Sequence, residues 1–232
     1  MPDKNNPNLL RRWGRRGLWG LLIIGALIFV PAGSLRFWQG WALLAVQFGA
    51  GTGFSFYFYK RDPQVLERRL LRKETLTEQK LIITLWKALG GTSLVVSGLD
   101  HRHGWSGVFL QPVPIWLELL SLLFILGAYA LHFQVLKANP FAASVIQIEA
   151  AQRVSATGLY GRIRHPMYLG FAVMGVFTPL ALGSFVGFAI SLLIIPTIVF
   201  RLLNEEKFLR RDLAGYTEYC RRTPYRLIPL VW

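Results

Sequence analysis

The chain has 232 residues, of which 53% are hydrophobic and only 16% are charged, whereas ordinary soluble domains carry about 25% charged residues. Its formal charge is nevertheless +14. This combination argues against a soluble enzyme or a soluble nucleic-acid-binding protein, and it predicts a chain that crosses a bilayer and carries basic loops on one side. The one cysteine, Cys220, excludes an intramolecular disulfide.

Six stretches are apolar enough to predict transmembrane helices, since a span needs about 20 mostly apolar residues. We expect the first to be a retained span, because no small-residue cleavage site follows Val30. The fifth and sixth are separated only by Gly183, with Pro179 just before it, which predicts a tight helical hairpin, and Pro196 is expected to kink the sixth. The predicted spans run from about Gly17 to Val30, Gly40 to Tyr59, Leu81 to Leu99, Pro114 to Phe133, Tyr168 to Leu182, and Ser184 to Leu203.

The distribution of Lys and Arg orients these spans. With six spans, 23 of the 26 cationic residues fall on one side of the membrane, 2 fall on the other, and Lys87 lies within the third span. Because cytoplasmic loops are enriched in Lys and Arg, both termini are predicted to be cytoplasmic, in an inner or plasma membrane. The loop from Lys60 to Lys80 is expected to form an amphipathic helix on the anionic inner leaflet.

The segment from Lys137 to Met167 is too polar to face lipid, yet it carries apolar side chains. It is therefore expected to pack on the protein or to fold over a bound molecule, with a plain interfacial loop as the alternative. It ends in the motif Arg-His-Pro-Met-Tyr at residues 164–168, where a proline suited to the first helical turn predicts His165 at about the N-cap. Such a helix start attracts a carboxylate or phosphate. The alternative is that Tyr168 and the arginines only anchor a helix end among the headgroups.

A second motif, Arg-Leu-Leu-Asn-Glu-Glu, closes the sixth span at residues 201–206. Arg201 and Glu205 are four residues apart and share one helix face, while Glu206 is turned about 100° away. Ionisable groups at the end of a span are costly unless they are paired or functional, so a helix-end salt bridge and a functional site are both open. The predicted hairpin would bring this motif within reach of the motif that opens the fifth span.

The two motifs, about 30 apolar residues apart and followed by Tyr216 and Tyr219, resemble the isoprenylcysteine carboxyl methyltransferase family and its bacterial relatives. The resemblance covers roughly Asn139 to Trp232. Members of that family are membrane-embedded enzymes that transfer a methyl group from S-adenosylmethionine to a carboxylate on a lipid-linked substrate. Together with the spans, it implies an all-α, polytopic integral membrane protein of about six transmembrane helices, with a C-terminal helical hairpin and a cytoplasmic cofactor pocket. We expect one domain, 1–232, with four N-terminal spans in 1–135 and a methyltransferase-like catalytic region in 136–232.

The resemblance also implies roles for particular residues. The cofactor would be S-adenosylmethionine without a metal, the acceptor a lipophilic molecule carrying a carboxylate, and the partners membrane lipids rather than nucleic acid. Arg201 would bind the acceptor and act with Glu205 in catalysis, and Gln147 is a further candidate contact. The residues implied to line the cofactor are Gln152, Arg153, Val154, Ser155, Tyr160, His165, Pro166, Met167, Tyr168 and Glu205.

Elementary chemistry agrees with these roles. The cofactor carries a sulfonium cation, an amino group and a carboxylate, so its pocket needs a helix start or cation for the carboxylate and an acid or aromatic face for the cationic parts. His165 suits the first need, and Glu205 with the tyrosines suits the second. An acceptor carboxylate is already ionised at neutral pH, so positioning and desolvation would supply most of the catalysis, with Arg201 holding the carboxylate bidentately.

Three other functions remain open from the sequence: a phospholipid N-methyltransferase with an amine acceptor, a membrane sterol-type reductase that uses NADPH, and a non-enzymatic lipid-binding scaffold. His101 and His103 are expected in a solvated outer loop, although their spacing would also suit a metal. Glu118 and His132 are expected to face the bundle interior at opposite ends of the fourth span, too far apart to touch. The acceptor, the oligomeric state and the roles of these four residues are not predicted.

Overall fold

The computed structural model describes residues 7–71, 77–139 and 154–232, and every regular element in these ranges is helical. The all-α prediction is therefore confirmed. The α-helices in chain order are α1 (Pro7–Ala32), α2 (Trp38–Arg61), α3 (Pro63–Leu71), α4 (Thr77–His103), α5 (Trp105–Phe109), α6 (Ile115–Ala138), α7 (Pro166–Ala181), α8 (Phe185–Ser191), α9 (Ile194–Asp212) and α10 (Tyr216–Arg222), and a 3₁₀ turn spans Gly158–Gly161.

Four helical stretches in the described part of the chain are long and apolar enough to cross a membrane: Leu9–Ala32, Gln79–His103, Ile115–Ala138 and Phe185–Asp212. The helix α7 is apolar but shorter. The helix α2 has 24 residues and is not one of these four stretches. The polytopic membrane architecture is confirmed, and the observed helices are mostly longer than the predicted spans because their polar ends continue beyond the apolar core.

The predicted hairpin is present between α7 and α8. Gly183 makes the turn with φ +72°, a conformation that favours glycine, and a Cβ there would also lie 2.8 Å from Glu118 Oε1. Ser184 then caps α8, because its Oγ accepts a hydrogen bond from the Gly187 N–H at 2.9 Å. The turn therefore fixes where the chain reverses.

The sixth predicted span is interrupted rather than gently kinked. It divides into α8 and α9 at residues 192–193. Pro196 has no N–H to donate to the carbonyl of Leu192, which explains a break at this point. The helix α9 then runs antiparallel to α7 and ends near the start of that helix.

A buried carboxylate ties α4 to the hairpin at the end far from the start of α7. Asp100 accepts hydrogen bonds from the backbone N–H of Ser106 at 2.7 Å and from the hydroxyls of Ser106 and Ser184, both at 2.5 Å. The N–H groups and hydroxyls satisfy an otherwise costly buried acid. The hairpin is thereby held against α4 and α5.

The helices α6 and α7 approach closely where α7 begins. His132 on α6 lies 3.0 Å from the carbonyl of Met167, and a Cβ on Gly170 would lie 2.5 Å from the same ring nitrogen. A glycine at 170 therefore makes room for the imidazole. The ring also packs on Phe171, with ring centroids 4.7 Å apart. His132 faces the interior, as predicted, and helps to fix the first turn of α7.

Candidate active site

The first turn of α7 is anchored by the C-terminal segment of the chain. Pro166 is the first helical residue and His165 is the N-cap, as predicted. The backbone N–H groups of Arg164 and His165 donate to the carbonyls of Tyr225 and Arg226, both at 2.9 Å. Residues remote in sequence therefore fix the side chains that open α7.

A phenol, a guanidinium and a carboxylate meet between α7 and α9. The Tyr168 hydroxyl accepts a hydrogen bond from Arg201 Nε at 3.0 Å and donates one to Glu205 Oε2 at 2.5 Å. Arg201 is only 3% exposed and Tyr168 only 7%. The hairpin thus brings together three of the predicted residues, as their shared helix face and the antiparallel arrangement required.

Two residues of α4 complete this cluster, and neither was predicted from the sequence. Gln79 Oε1 accepts a hydrogen bond from Arg201 Nη1 at 3.0 Å. The Arg201 guanidinium lies over the Trp86 ring, 5.4 Å from its centroid, and the Trp86 indole N–H donates to Thr197 at 2.7 Å. The site therefore depends on a span outside the region that carries the motifs.

Glu206 organises a second, separate cluster. Its carboxylate is 3% exposed and lies 3.2 Å from Arg164 Nη1, 3.3 Å from His165 Nε2 and 3.2 Å from Arg226 Nε. Glu205 and Glu206 point in different directions, as the predicted angle of about 100° requires. His165 therefore orients a buried acid, a partner that the N-cap argument did not anticipate.

Three tyrosines, Tyr160, Tyr216 and Tyr219, lie beside His165 and the 3₁₀ turn. The Tyr219 hydroxyl donates to the carbonyl of Tyr160 at 2.7 Å, and the Tyr216 hydroxyl lies 3.5 Å from His165 Nε2. Burial raises the pKa of Tyr160 to about 12, with the Glu205 carboxylate also raising it. Burial likewise raises the pKa of Tyr216 and of Tyr219. These phenols are neutral donors and aromatic faces at physiological pH.

The other predicted cofactor residues differ in where they lie. Val154 packs against the apolar cluster around Tyr216 and Tyr219. Met167 points the other way, into the cluster shared with α2 and α3, so only its backbone belongs to the first turn of α7. Gln152, Arg153 and Gln147 lie outside the described residues, while Ser155 and Pro166 lie within them, half-buried and buried respectively.

Two buried donors in this part of the protein have no acceptor. Among the residues that the structure describes, Arg164 Nε and Asn204 Nδ2 are buried without a hydrogen-bond partner. Such groups are rare in folded proteins because their desolvation is uncompensated. A ligand with acceptor atoms would satisfy these donors.

The remaining ionisable candidates have local partners. Glu118 lies 3.3 Å from Gln39 Nε2 and far along α6 from His132, so the two do not touch, as predicted. His101 and His103 are exposed, but they end α4 rather than lying in a loop. His101 stacks on Phe37 and His103 on Trp105, with ring centroids 3.9 and 5.4 Å apart.

Comparison with known proteins matches the part of the chain that carries both motifs. Residues 116–214 match the model of the phospholipid methyltransferase family, a stretch that runs from α6 through α9 and contains both motifs. The chain is also similar to the Delta(14)-sterol reductase of the mouse, Mus musculus, with 28% identity over 138 residues, 53% of this chain and 33% of the reductase. It thus matches about a third of that relative's length. The family match and the spanning helices support a membrane protein of the methyltransferase type.

Proposed function

We propose that this protein is a membrane-embedded, S-adenosylmethionine-dependent methyltransferase that acts on a lipophilic acceptor. The observation that carries the proposal is the Tyr168 hydroxyl held between Arg201 and Glu205, inside the stretch that matches the phospholipid methyltransferase family. The reacting groups would meet where α7 begins and α9 ends. In this proposal that end is cytoplasmic, as are both termini, and residues 1–232 form one domain.

The residues present fit the cofactor. S-adenosylmethionine would supply an electrophilic methyl group at this site. The Glu205 carboxylate and the faces of Tyr160 and Tyr168 would attract its cationic parts. The unpartnered donors Arg164 Nε and Asn204 Nδ2 offer hydrogen bonds to its acceptor atoms. Val154, Ser155 and, beyond the described residues, Gln152 and Arg153 would complete the wall.

The acceptor we favour is a carboxylate on a lipophilic molecule. Arg201 would orient it, since a guanidinium presents five donors in a fork that matches two carboxylate oxygens. Hydrogen bonds from the Arg201 guanidinium to Tyr168 and Gln79 hold this group in place, so its orientation is preorganised. Burial would strip water from both reactants, which strengthens the electrostatic interactions. Methylation of such a carboxylate would resemble the reaction of isoprenylcysteine carboxyl methyltransferases.

A phospholipid amine is the alternative acceptor, and the family match favours it by name. An ammonium group must lose a proton before it can attack a methyl group. Glu205 would accept that proton, with Tyr168 as its hydrogen-bonded neighbour. Glu205 would therefore act as a base for an amine acceptor but not for a carboxylate acceptor.

A reductase is the second candidate function, and the similarity to the sterol reductase favours it. Reduction of a double bond requires a hydride and a proton. The Tyr168 phenol, hydrogen-bonded by Arg201, would be the proton donor, and the hydride would come from a nicotinamide cofactor. A carboxylate methylation needs no proton donor, so replacing Tyr168 with Phe should abolish reduction and only slow methylation.

Methyl transfer to a lipid extract tests the proposal and separates the acceptors. The protein in nanodiscs is incubated with the extract and with S-adenosylmethionine labelled in its methyl group. We expect labelled lipid whose label is released as methanol by mild base, because methyl esters hydrolyse and N-methyl groups do not. A label that resists base would show that the acceptor is an amine and not a carboxylate. No labelled lipid, with NADPH consumption instead, would favour the reductase.

A further inference from the structure

An unassigned cavity of about 250 Å³ lies among α2, α4, α7 and α9. Its lining includes Trp86, Gly90, Phe171, Met174 and Ile198. This size is below the ~300–1,000 Å³ typical of sites that hold a whole drug-sized ligand. The cavity is therefore suited to one part of a larger molecule.

The chemistry of the lining is that of a hydrocarbon site. The hydroxyls of Ser93 and Thr178 border the cavity, but each already donates to a backbone carbonyl, of Gly187 at 2.9 Å and of Met174 at 2.7 Å. Gln47 adds one amide. The remaining surface is aliphatic, aromatic or glycine, so methylene groups would lose no hydrogen bonds by entering it.

The aromatic rings of Trp86 and Phe171 lie between the cavity and the proposed reaction site. Trp86 lines the cavity on one side and lies under the Arg201 guanidinium on the other. Phe171 also lines it, and its ring centroid is 5.9 Å from that of Trp86 and 6.5 Å from that of Tyr168. A molecule whose polar end binds Arg201 would therefore have its apolar end directed along these rings.

Glycine provides part of the room. A Cβ placed on Gly90 would meet nothing within 4 Å, whereas a Cβ on Gly175 would lie 3.3 Å from Ile194 Cδ1. The cavity therefore has empty space next to Gly90. A larger side chain there would fill the space without displacing its neighbours.

We propose that this cavity binds the hydrocarbon chain of the methyl acceptor and that the absence of a side chain at Gly90 determines how bulky that chain can be. The identity of the substrate rests on the proposed function. Lipid tails surround the protein, so apolar attraction alone would not favour the cavity over the bilayer. The polar end provides the affinity, and the cavity selects by shape. Chains too bulky for the space beside Gly90 are excluded.

Photolabelling tests this assignment without requiring turnover. The full-length protein in nanodiscs is irradiated with dodecanoic acid that carries a diazirine near its methyl end, and labelled peptides are mapped by mass spectrometry. We expect labelling of cavity-lining peptides in α4, α7 and α9. Gly90→Leu should reduce it at least tenfold, because leucine fills the space. Gly91→Leu is the matched control, since a Cβ at Gly91 also meets nothing within 4 Å and this residue does not line the cavity.

Two results would overturn the proposal. Labelling that survives Gly90→Leu would show that the chain binds elsewhere. Equal labelling of the cavity by a diazirine phosphatidylcholine would identify a structural lipid, because that headgroup offers neither a carboxylate nor a methylatable amine. S-adenosylmethionine binding is measured on the same variants: if all of them fail to bind it, the methyltransferase proposal fails while the photolabelling still decides what enters the cavity.

Discussion

Replacing Arg201 with Lys is expected to lower kcat for methyl transfer about 100-fold, a loss typical of misaligned reactants or a lost electrostatic contact. The affinity for S-adenosylmethionine should change less than about twofold. Lysine keeps the charge but lacks the planar fork that reaches both Tyr168 and Gln79. Arg201→Ala should abolish turnover, whereas His165→Ala should weaken the cofactor, since His165 lies at the start of α7.

Arg211→Lys is the control for Arg201→Lys. Arg211 is on the same helix, but its side chain is 73% exposed, pairs with its neighbour Asp212 and lies over the Phe208 ring. Its replacement should leave kcat unchanged. Thermal unfolding of each variant separates a catalytic effect from a folding defect. A loss of cofactor affinity in Arg201→Lys with unchanged kcat would reverse the roles we assign to Arg201 and His165.

Replacing Glu206 with Ala is expected to lower the free energy of unfolding by about 3–5 kcal/mol, the usual cost of removing one partner of a buried ion pair. Arg164 would then be a buried cation without its acid, while His165 and Arg226 would lose the same partner. The start of α7 and the C-terminal segment would loosen together. Thermal unfolding in detergent, followed by circular dichroism, measures the effect.

Glu218→Ala provides the comparison. Glu218 also pairs with arginines, at 3.1 Å from Arg222 and 3.6 Å from Arg221, but its side chain is 52% exposed. Exposed pairs contribute only about 0–1 kcal/mol. We therefore expect little change in its unfolding temperature. Equal effects of the two substitutions would mean that Glu206 is not a structural centre of the site.

The membrane architecture and part of the site follow from local patterns. Apolar runs predict the spans, and a glycine between two of them predicts the hairpin. The four-residue spacing of Arg201 and Glu205 places both on one helix face, and the hairpin carries Tyr168 to them. Each of these inferences uses only helix periodicity and the direction of the chain.

The missed residues depend on contacts between distant segments. Gln79 falls within the loop predicted to be amphipathic, and Trp86 falls within a predicted span whose aromatic residues also suit a lipid-facing surface. The helix period correctly predicts that Glu206 points away from Arg201. It does not predict its partners Arg164 and Arg226, which come from two other segments. Periodicity gives a side chain's direction on its own helix and does not say which element lies opposite.

The affinity for the cofactor tests the central claim most directly. Calorimetric titration of the detergent-purified protein with S-adenosylmethionine or S-adenosylhomocysteine is compared with NADPH, and the Tyr168→Ala variant serves as the control for the site. The account predicts saturable binding of both sulfur compounds, weakened by the substitution, and no binding of NADPH. Binding of NADPH without S-adenosylmethionine would contradict the methyltransferase assignment and favour the reductase, and binding of neither would favour a lipid-binding scaffold.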